Sequence, residues 1–454
     1  MTLSSIDPTT GEERARFPAW TASDIESALT EVAQATPAWA GTAVDNRLGL
    51  LRRTAALLRD RKSALADIIT SEMGKLIGEA EAEIEKCAWV CEYYADNAKD
   101  FLSDHEIESD ASKSLVAYQP LGTLLAIMPW NFPFWQFFRC AVPALAAGNT
   151  VVLKHASNVP RCALTLEEIF RGAGFPEGVM RTLLVTADQV ADIIGDPRIH
   201  AVSLTGSTAA GRKVAEIAGR HLKKTVLELG GSDPFVVLDD ANIPAAAATA
   251  NQSRFLNCGQ SCIAAKRFIV VDSVAEEFLE RFQRHIENLR AGDPRESSTT
   301  LAPMAREDLR TSLNKQVEES VAAGAEVRTG GESLDRSGWF YAPTLLDQVT
   351  PGMPAYEEEL FGPVAAVIRA GDEADALRIA NDSRFGLGGS IWSRDPVRGD
   401  VFARQLACGC AFVNELVKSD PRVPFGGIKD SGYGRELSLL GIREFVNAKT
   451  IWFK

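Results

Sequence analysis

Cys262 closes the run Phe255-Leu-Asn-Cys-Gly-Gln-Ser-Cys262, and Glu228, within Leu227-Glu-Leu-Gly-Gly231, lies 34 residues upstream. Asn131, within Pro129-Trp-Asn-Phe-Pro133, precedes both. A thiol, a carboxylate and a side-chain amide can serve as nucleophile, base and donor to a developing oxyanion. A thiol near its ordinary pKa is only about 3% thiolate at neutral pH, so a nucleophilic cysteine needs a local field that favours the anion. Histidine often supplies that field, but the five histidines (His105, His155, His200, His221, His285) form no cysteine-protease signature. A carboxylate base suits a thioester awaiting water. Taken singly, Cys262 reads as a small buried hydrophobe, Asn131 as a turn residue and Glu228 as a solvated carboxylate.

A second chemical signal is Val202-Ser-Leu-Thr-Gly-Ser-Thr-Ala-Ala-Gly211, where a strand turns through Gly206 and Ser207 into a helix continuing as Arg212-Lys-Val-Ala-Glu-Ile217. Free N–H groups and the dipole at such a helix start can hold a pyrophosphate. The same pattern also describes an ordinary strand-turn-helix junction, and the G-x-G-x-x-G fingerprint is missing.

These residues must be carried by elements, and the bulk properties set the scale. A chain of 454 residues, 46% hydrophobic, can build more than one core, with two or three domains as the length prior. A net charge of -13 disfavours nucleic-acid and anionic-membrane surfaces. The N-terminus lacks a basic region followed by an apolar core, and no apolar run is long enough for a membrane helix. Eight cysteines are too sparse for a disulfide framework and lack the histidines of a zinc pattern, so a reducing cytoplasm and no metal are expected.

The first hundred residues read mainly as helices, the first capped by Thr21 with Asp24 three residues later and Ile25, Ala28, Leu29 and Val32 on one face. Short β-rich runs follow at Thr123–Ile127, Thr150–Leu153, Arg181–Val185, Ala201–Leu204 and Thr225–Leu229, several separated by helical segments. That alternation predicts a parallel sheet covered by helices. A second α/β region begins near Pro234–Leu238, with strands at Arg267–Val271, Val364–Ile368 and Leu387–Trp392, before a return segment from Pro421.

From Met73-Gly-Lys75 to Pro424-Phe-Gly-Gly-Ile-Lys429 and Ser431-Gly-Tyr-Gly-Arg-Glu436, ordered motifs make the chain resemble the aldehyde dehydrogenase superfamily over nearly its whole length. Within it, Asn414-Glu-Leu-Val-Lys-Ser-Asp-Pro-Arg422 is most similar to succinate-semialdehyde dehydrogenases. The resemblance implies an α/β fold: a Rossmann-type cofactor domain (1–102 and 120–232), an α/β catalytic domain (233–420), and oligomerisation and return segments (103–119 and 421–454). It also implies NAD(P)-dependent oxidation of an aldehyde to an acid through a Cys262 thiohemiacetal and thioester, with Asn131 on the oxyanion and Glu228 activating water.

The implied cofactor contacts are Trp130, Lys154, Ser157, Gly206, Ser207, Gly211, Glu359 and Phe361. Ser157 stands where many NAD-preferring relatives have glutamate, so NADP is expected over NAD. Arg139 and Ser419 are implied contacts for a substrate carboxylate, whereas Leu256 replaces an arginine common in such enzymes. Glu436 and Lys429 are read as a proton path or a surface salt link, and Cys258 as a spectator thiol or a disulfide partner of Cys262. Succinic semialdehyde is the expected substrate and a homodimer or homotetramer the expected assembly, with no nucleic-acid or membrane partner. A dehydrogenase for another short aldehyde, or a catalytically silent protein on this scaffold, are the alternatives.

Overall fold

The computed structural model describes residues 2–454. It opens on a hairpin that the helical reading of the first hundred residues passed over: β1 (Thr2–Ile6) pairs antiparallel with β2 (Glu13–Pro18). Two of the six residues of β2 are arginine and a third is glutamate, so its alternation carries little apolar signal. The helix α1 (Ala22–Ala40) starts as its sequence predicts: the Asp24 amide donates to Thr21 Oγ1 at 3.3 Å and the Thr21 amide to Asp24 Oδ2 at 2.8 Å. Such a capping arrangement contributes about 1 kcal/mol. Next come α2 (Val44–Asp60), α3 (Lys62–Met73) and α4 (Ile77–Phe101), then β3 (His105–Glu106) and β4 (Lys113–Pro120).

The first large sheet contains β5 (Thr123–Met128), β6 (Thr150–His155), β7 (Met180–Thr182), β8 (Ala201–Thr205) and β9 (Lys224–Glu228). Its spatial order runs β9-β8-β5-β6-β7, all parallel. The helices between these strands are α5 (Trp135–Ala147), α6 (Pro160–Gly172), α7 (Val190–Gly195) and α8 (Thr208–Arg220). Alternate side chains of β5 enter different cores: Leu124, Ala126 and Met128 join α2, α4, α5 and α6, whereas Leu125 and Ile127 join α1, α7 and α8. A strand buried on both faces is apolar along nearly its whole length, and in β5, which reads Thr-Leu-Leu-Ala-Ile-Met, only the hydrogen-bonded Thr123 is polar. The strand expected at Arg181–Val185 stops at Thr182.

The second sheet contains β10 (Asp233–Val237), reached through Gly230-Gly231, and β11 (Ala265–Val271), with α9 (Ile243–Phe255) between them. It adds β12 (Glu326–Thr329), β13 (Thr344–Asp347), β14 (Val364–Ala370), and, beyond the short β15 (Phe385–Gly386), β16 (Gly388–Trp392) and β17 (Cys410–Val413). Of these, β12, β13 and β17 went unread, being only four residues each. The C-terminal segment divides its strands among neighbours: β18 (Ile428–Lys429) pairs with β15, β19 (Gly432–Tyr433) lies antiparallel to β9, and β20 (Val446–Phe453) pairs along β4.

Candidate active site

Cys262 stands in the connection between α9 and β11, and the local backbone there is unusual. After Phe255 the chain makes a short 3₁₀ turn in which Asn257 (φ 54°) and Cys258 (φ 55°) both adopt left-handed conformations. Two consecutive non-glycine residues in that region hold strain that surrounding bonds must offset. Asn257 Nδ2 donates to the carbonyls of Asn131 (2.8 Å) and Gln260 (3.1 Å), and Arg254 Nη1 donates to the Ala265 carbonyl at 3.0 Å. The buried Lys266 ammonium donates to the carbonyls of Ser261 and Cys262, both at 2.8 Å, and of Ala264 at 3.1 Å. Gly231 fits beneath this loop because a Cβ there would lie 2.6 Å from the Cys262 carbonyl oxygen.

The partly buried Cys262 lines two cavities. One, of about 340 Å³, is walled by Phe132, Trp135, Arg139, Leu256, Val417, Ser419 and Phe425 among others. The second, of about 360 Å³, is lined by Trp130, Asn131, Thr205, Gly206, Ser207, Glu359 and Phe361. Burial pushes the Cys262 thiol up to about 12, against the pull of the Arg139 and Lys266 cations. Asn131 Nδ2 donates to the Gln260 carbonyl at 3.0 Å, which leaves its second N–H for an oxyanion. All eight cysteines are free; Cys258 is buried in the core of the second sheet, where desolvation raises its thiol pKa.

Glu228 ends β9, with both carboxylate oxygens buried and without a hydrogen-bond donor. Arg139 Nη2 lies 4.0 Å from it, and Arg139 Nε meets Glu436 in a closer pair. Arg139 is therefore no surface residue: it is 1% exposed, stacks over the Phe425 ring at 4.6 Å, and lines the first cavity. Desolvation drives Glu228 well above the usual carboxylate range, with Arg139 opposing. Glu436 is raised by the same cause and opposed by the same cation. Lys429 takes no part in this cluster; its ammonium donates to the carbonyls of Asn381 (3.2 Å) and Ser383 (2.9 Å).

Of the residues expected to hold a cofactor, Trp130, Gly206, Ser207, Glu359 and Phe361 line the second cavity, whereas Lys154 and Ser157 do not. Trp130 and Asn131 follow β5, Lys154 is the penultimate residue of β6, Ser157 lies in the turn into α6, and Gly206 and Ser207 follow β8. The chain goes from β5 outward to β6 and β7, then returns to place β8 on the other side of β5. The crevice at that reversal is where open α/β sheets bind ligands, and the second cavity occupies it. Ser207 caps α8 by accepting from the Ala210 amide at 3.3 Å. Lys154 is buried and its pKa is lowered by desolvation, while Ser157 is exposed. Glu359 accepts from the Gly231 amide at 3.0 Å, and Phe361 meets Trp130 edge-on at 5.8 Å. Gly211 lines neither cavity; a Cβ there would lie 2.5 Å from Leu229, so its place is the close contact of α8 with that side chain.

Several contributors escaped the sequence reading. Glu79, Glu83 and Lys86 occupy one face of α4 and line the first cavity. Glu83 Oε1 accepts the Phe134 and Trp135 amides, both at 2.9 Å, and so caps α5 from another helix while pairing with Lys75. Gln260 Oε1 accepts from the Ala305 amide at 2.9 Å. The spacing of Glu79, Glu83 and Lys86 marks a shared helix face, but a charged face ordinarily means solvent.

Comparison with known proteins agrees with this geometry. The aldehyde dehydrogenase family model matches residues 1–451. A probable NADP-dependent succinate-semialdehyde dehydrogenase of a Synechocystis species is 48% identical over 100% of both chains. An Escherichia coli succinate semialdehyde dehydrogenase named for NAD(P) is 47% identical over 99% of this chain and 97% of its own. Among solved structures, succinic semialdehyde dehydrogenase from Streptococcus pyogenes, in complex with NADP, superposes with a TM-score of 0.98 at 38% identity, covering 99% of each chain. The family match and the full-length relatives together establish that this chain belongs to the aldehyde dehydrogenase family.

Proposed function

We propose that the protein oxidises succinic semialdehyde to succinate with NADP. The observation that carries this reading is Cys262 at the junction of two cavities, one mostly apolar and one at the carboxyl ends of the parallel strands. The names of the Synechocystis and Escherichia coli relatives and the NADP in the Streptococcus complex support the choice of substrate and cofactor.

The residues fit a dinucleotide. The second cavity joins Cys262 to the capped start of α8, whose first amides suit a pyrophosphate. Lys154, a buried cation three residues before the exposed, uncharged Ser157, suits an additional phosphate on the ribose. When bound, NADP supplies the hydride acceptor and a positively charged ring whose field favours a thiolate.

The Cys262 sulfur adds to the aldehyde carbon, and the carbonyl oxygen becomes an anion held by Asn131 Nδ2 and the Cys262 amide. As the oxyanion re-forms the carbonyl, the former aldehyde hydrogen would leave with its electron pair, as hydride, for the acceptor that the second cavity would hold, leaving a thioester on Cys262. Glu228 then takes a proton from water, the resulting hydroxide attacks the thioester, and the acid leaves as the thiol is regenerated. For that step Glu228 has to turn from Arg139, because in this structure it lines neither cavity. Arg139 and Ser419 belong to the wall that receives the rest of the substrate.

Leu256 gives that wall hydrocarbon in place of a further cation, which favours a second reading, oxidation of short aliphatic aldehydes. Steady-state rates with succinic semialdehyde, glutaric semialdehyde and butanal, each with NAD and NADP, separate the two. The highest kcat/KM is expected for succinic semialdehyde with NADP, and Ser157→Glu should shift preference toward NAD by repelling the 2′-phosphate. Higher efficiency on butanal would overturn the substrate assignment, and a wild-type preference for NAD unchanged in Ser157→Glu would overturn the cofactor assignment. We also propose a homodimer or homotetramer in a reducing cytoplasm, supported by the uncovered outer edge of β20 and by eight unpaired thiols.

A further inference from the structure

The first cavity contains cationic side chains whose charges are answered very differently. Arg139 faces Glu436 and Glu228, and Lys418 pairs with Glu415 at 3.0 Å. Lys86 differs: among the described residues no carboxylate oxygen lies within 4.0 Å of its ammonium, and Glu83, its neighbour on α4, is paired with Lys75. Lys86 instead donates to Ser419 Oγ at 2.9 Å and lies over the Trp135 ring at 4.3 Å. The Trp135 indole N–H donates to the same Ser419 oxygen at 3.1 Å. With two donors on its oxygen, the Ser419 hydroxyl keeps its own hydrogen for an acceptor that enters the cavity.

An ammonium without a counter-ion, a hydroxyl hydrogen and an aromatic wall make a receptor for a small carboxylate. We propose that Lys86, together with Ser419, binds the carboxylate of the substrate and sets the preference of this enzyme for a carboxylated aldehyde. This inference rests on the oxidation of succinic semialdehyde proposed above and adds the group that selects it. A partly buried ammonium interacts with an anion through less water than a surface lysine does, so the contact discriminates strongly. Burial lowers the Lys86 pKa to about 8, with Arg139 contributing, so most of the ammonium remains charged at neutral pH. Of the two carboxyl groups that line this cavity, Glu83 is paired with Lys75, and Glu79 is raised to about 7 by burial, which weakens its opposition to an anion. Arg139 adds positive potential, but its charge is already matched by Glu436.

The test compares wild type, Lys86→Met and Lys86→Arg on succinic semialdehyde and on butanal, an uncharged aldehyde of the same carbon count, with succinate as a competitive inhibitor. Methionine keeps the length and hydrocarbon of the stem, and arginine keeps the charge. In Lys86→Met, kcat/KM for succinic semialdehyde should fall roughly 10- to 100-fold, mostly through KM, as for loss of a charged hydrogen bond. Butanal should change less than about twofold, succinate should inhibit correspondingly less, and Lys86→Arg should recover part of the loss. Equal losses on both aldehydes would assign Lys86 a structural role and overturn the proposal. So would unchanged succinate inhibition. A wild type that prefers succinic semialdehyde, with a Lys86→Met variant that keeps the preference, overturns the role of Lys86 alone; a wild type that prefers butanal overturns the substrate assignment beneath it.

Discussion

Glu228 has a bare, buried carboxyl group, and in the proposed mechanism that sets the pH behaviour of the hydrolytic step. Its folded pKa lies above the ordinary carboxylate value because burial disfavours the anion more than Arg139 restores it; Glu436 raises it further and Arg435 opposes. Below that raised pKa the group is protonated and cannot accept a proton from water; above it the base form accumulates. Turnover limited by hydrolysis therefore rises with pH through a point above the usual carboxylate range, whereas the first burst of reduced cofactor does not depend on Glu228. In Glu228→Gln the burst should survive, the steady rate should fall about 100-fold or more, and this limb of the pH profile should vanish. Stopped-flow absorbance across pH gives both phases, and an unchanged profile in the variant would contradict the assignment. Cys262, Asn131 and Glu228 were legible because each sits in a motif. Lys86 was not, since a lone lysine on an amphipathic helix usually reads as solvated, and only the neighbours brought from Ser419 and Trp135 give it a partner.

At the scale of elements, strands buried on both faces were read best. The apolar runs at β5, β6, β8 and β10 leave little room for another assignment, and the loops after β5 and β8 place Asn131, Gly206 and Ser207 on the second cavity. The hairpin β1–β2 and the four-residue strands β12, β13 and β17 were missed because pairing partners define them more than local pattern does. Arg139, expected as a contact for a substrate carboxylate, is a buried cation lining the first cavity. Sequence separation hid its partner, for Glu436 arrives on the segment that follows β19. The edge strand β20 makes its own prediction. It pairs with β4 on one side only and ends in Trp452 and Phe453, which are 54% and 49% exposed. A strand edge paired on one side only and ending in exposed aromatic side chains is a site for pairing with another chain. Light scattering should give a mass of two or four chains, reduced by Trp452→Glu with Phe453→Glu; a single-chain mass for wild type would contradict it.

Across the whole molecule, two α/β units and the C-terminal segment meet at one sulfur. The first sheet supplies Asn131 and Glu228, the connection into the second supplies Cys262, and β19 ties the C-terminal segment to β9 beside Glu228. Lys266 and Asn257 hold the loop that carries the thiol against this framework. Cys262 thus lies between two cavities, and covalent turnover at its sulfur is the central consequence of the proposed function. Trapping the acyl-enzyme tests it most directly: Glu228→Gln is mixed with succinic semialdehyde and NADP, quenched in acid, and examined by intact-mass and peptide mass spectrometry. A single succinyl group on Cys262, formed with one equivalent of NADPH and absent from Cys262→Ala, is the predicted result; NADPH formation without an acylated Cys262, or acylation at another residue such as Cys258, would contradict the account.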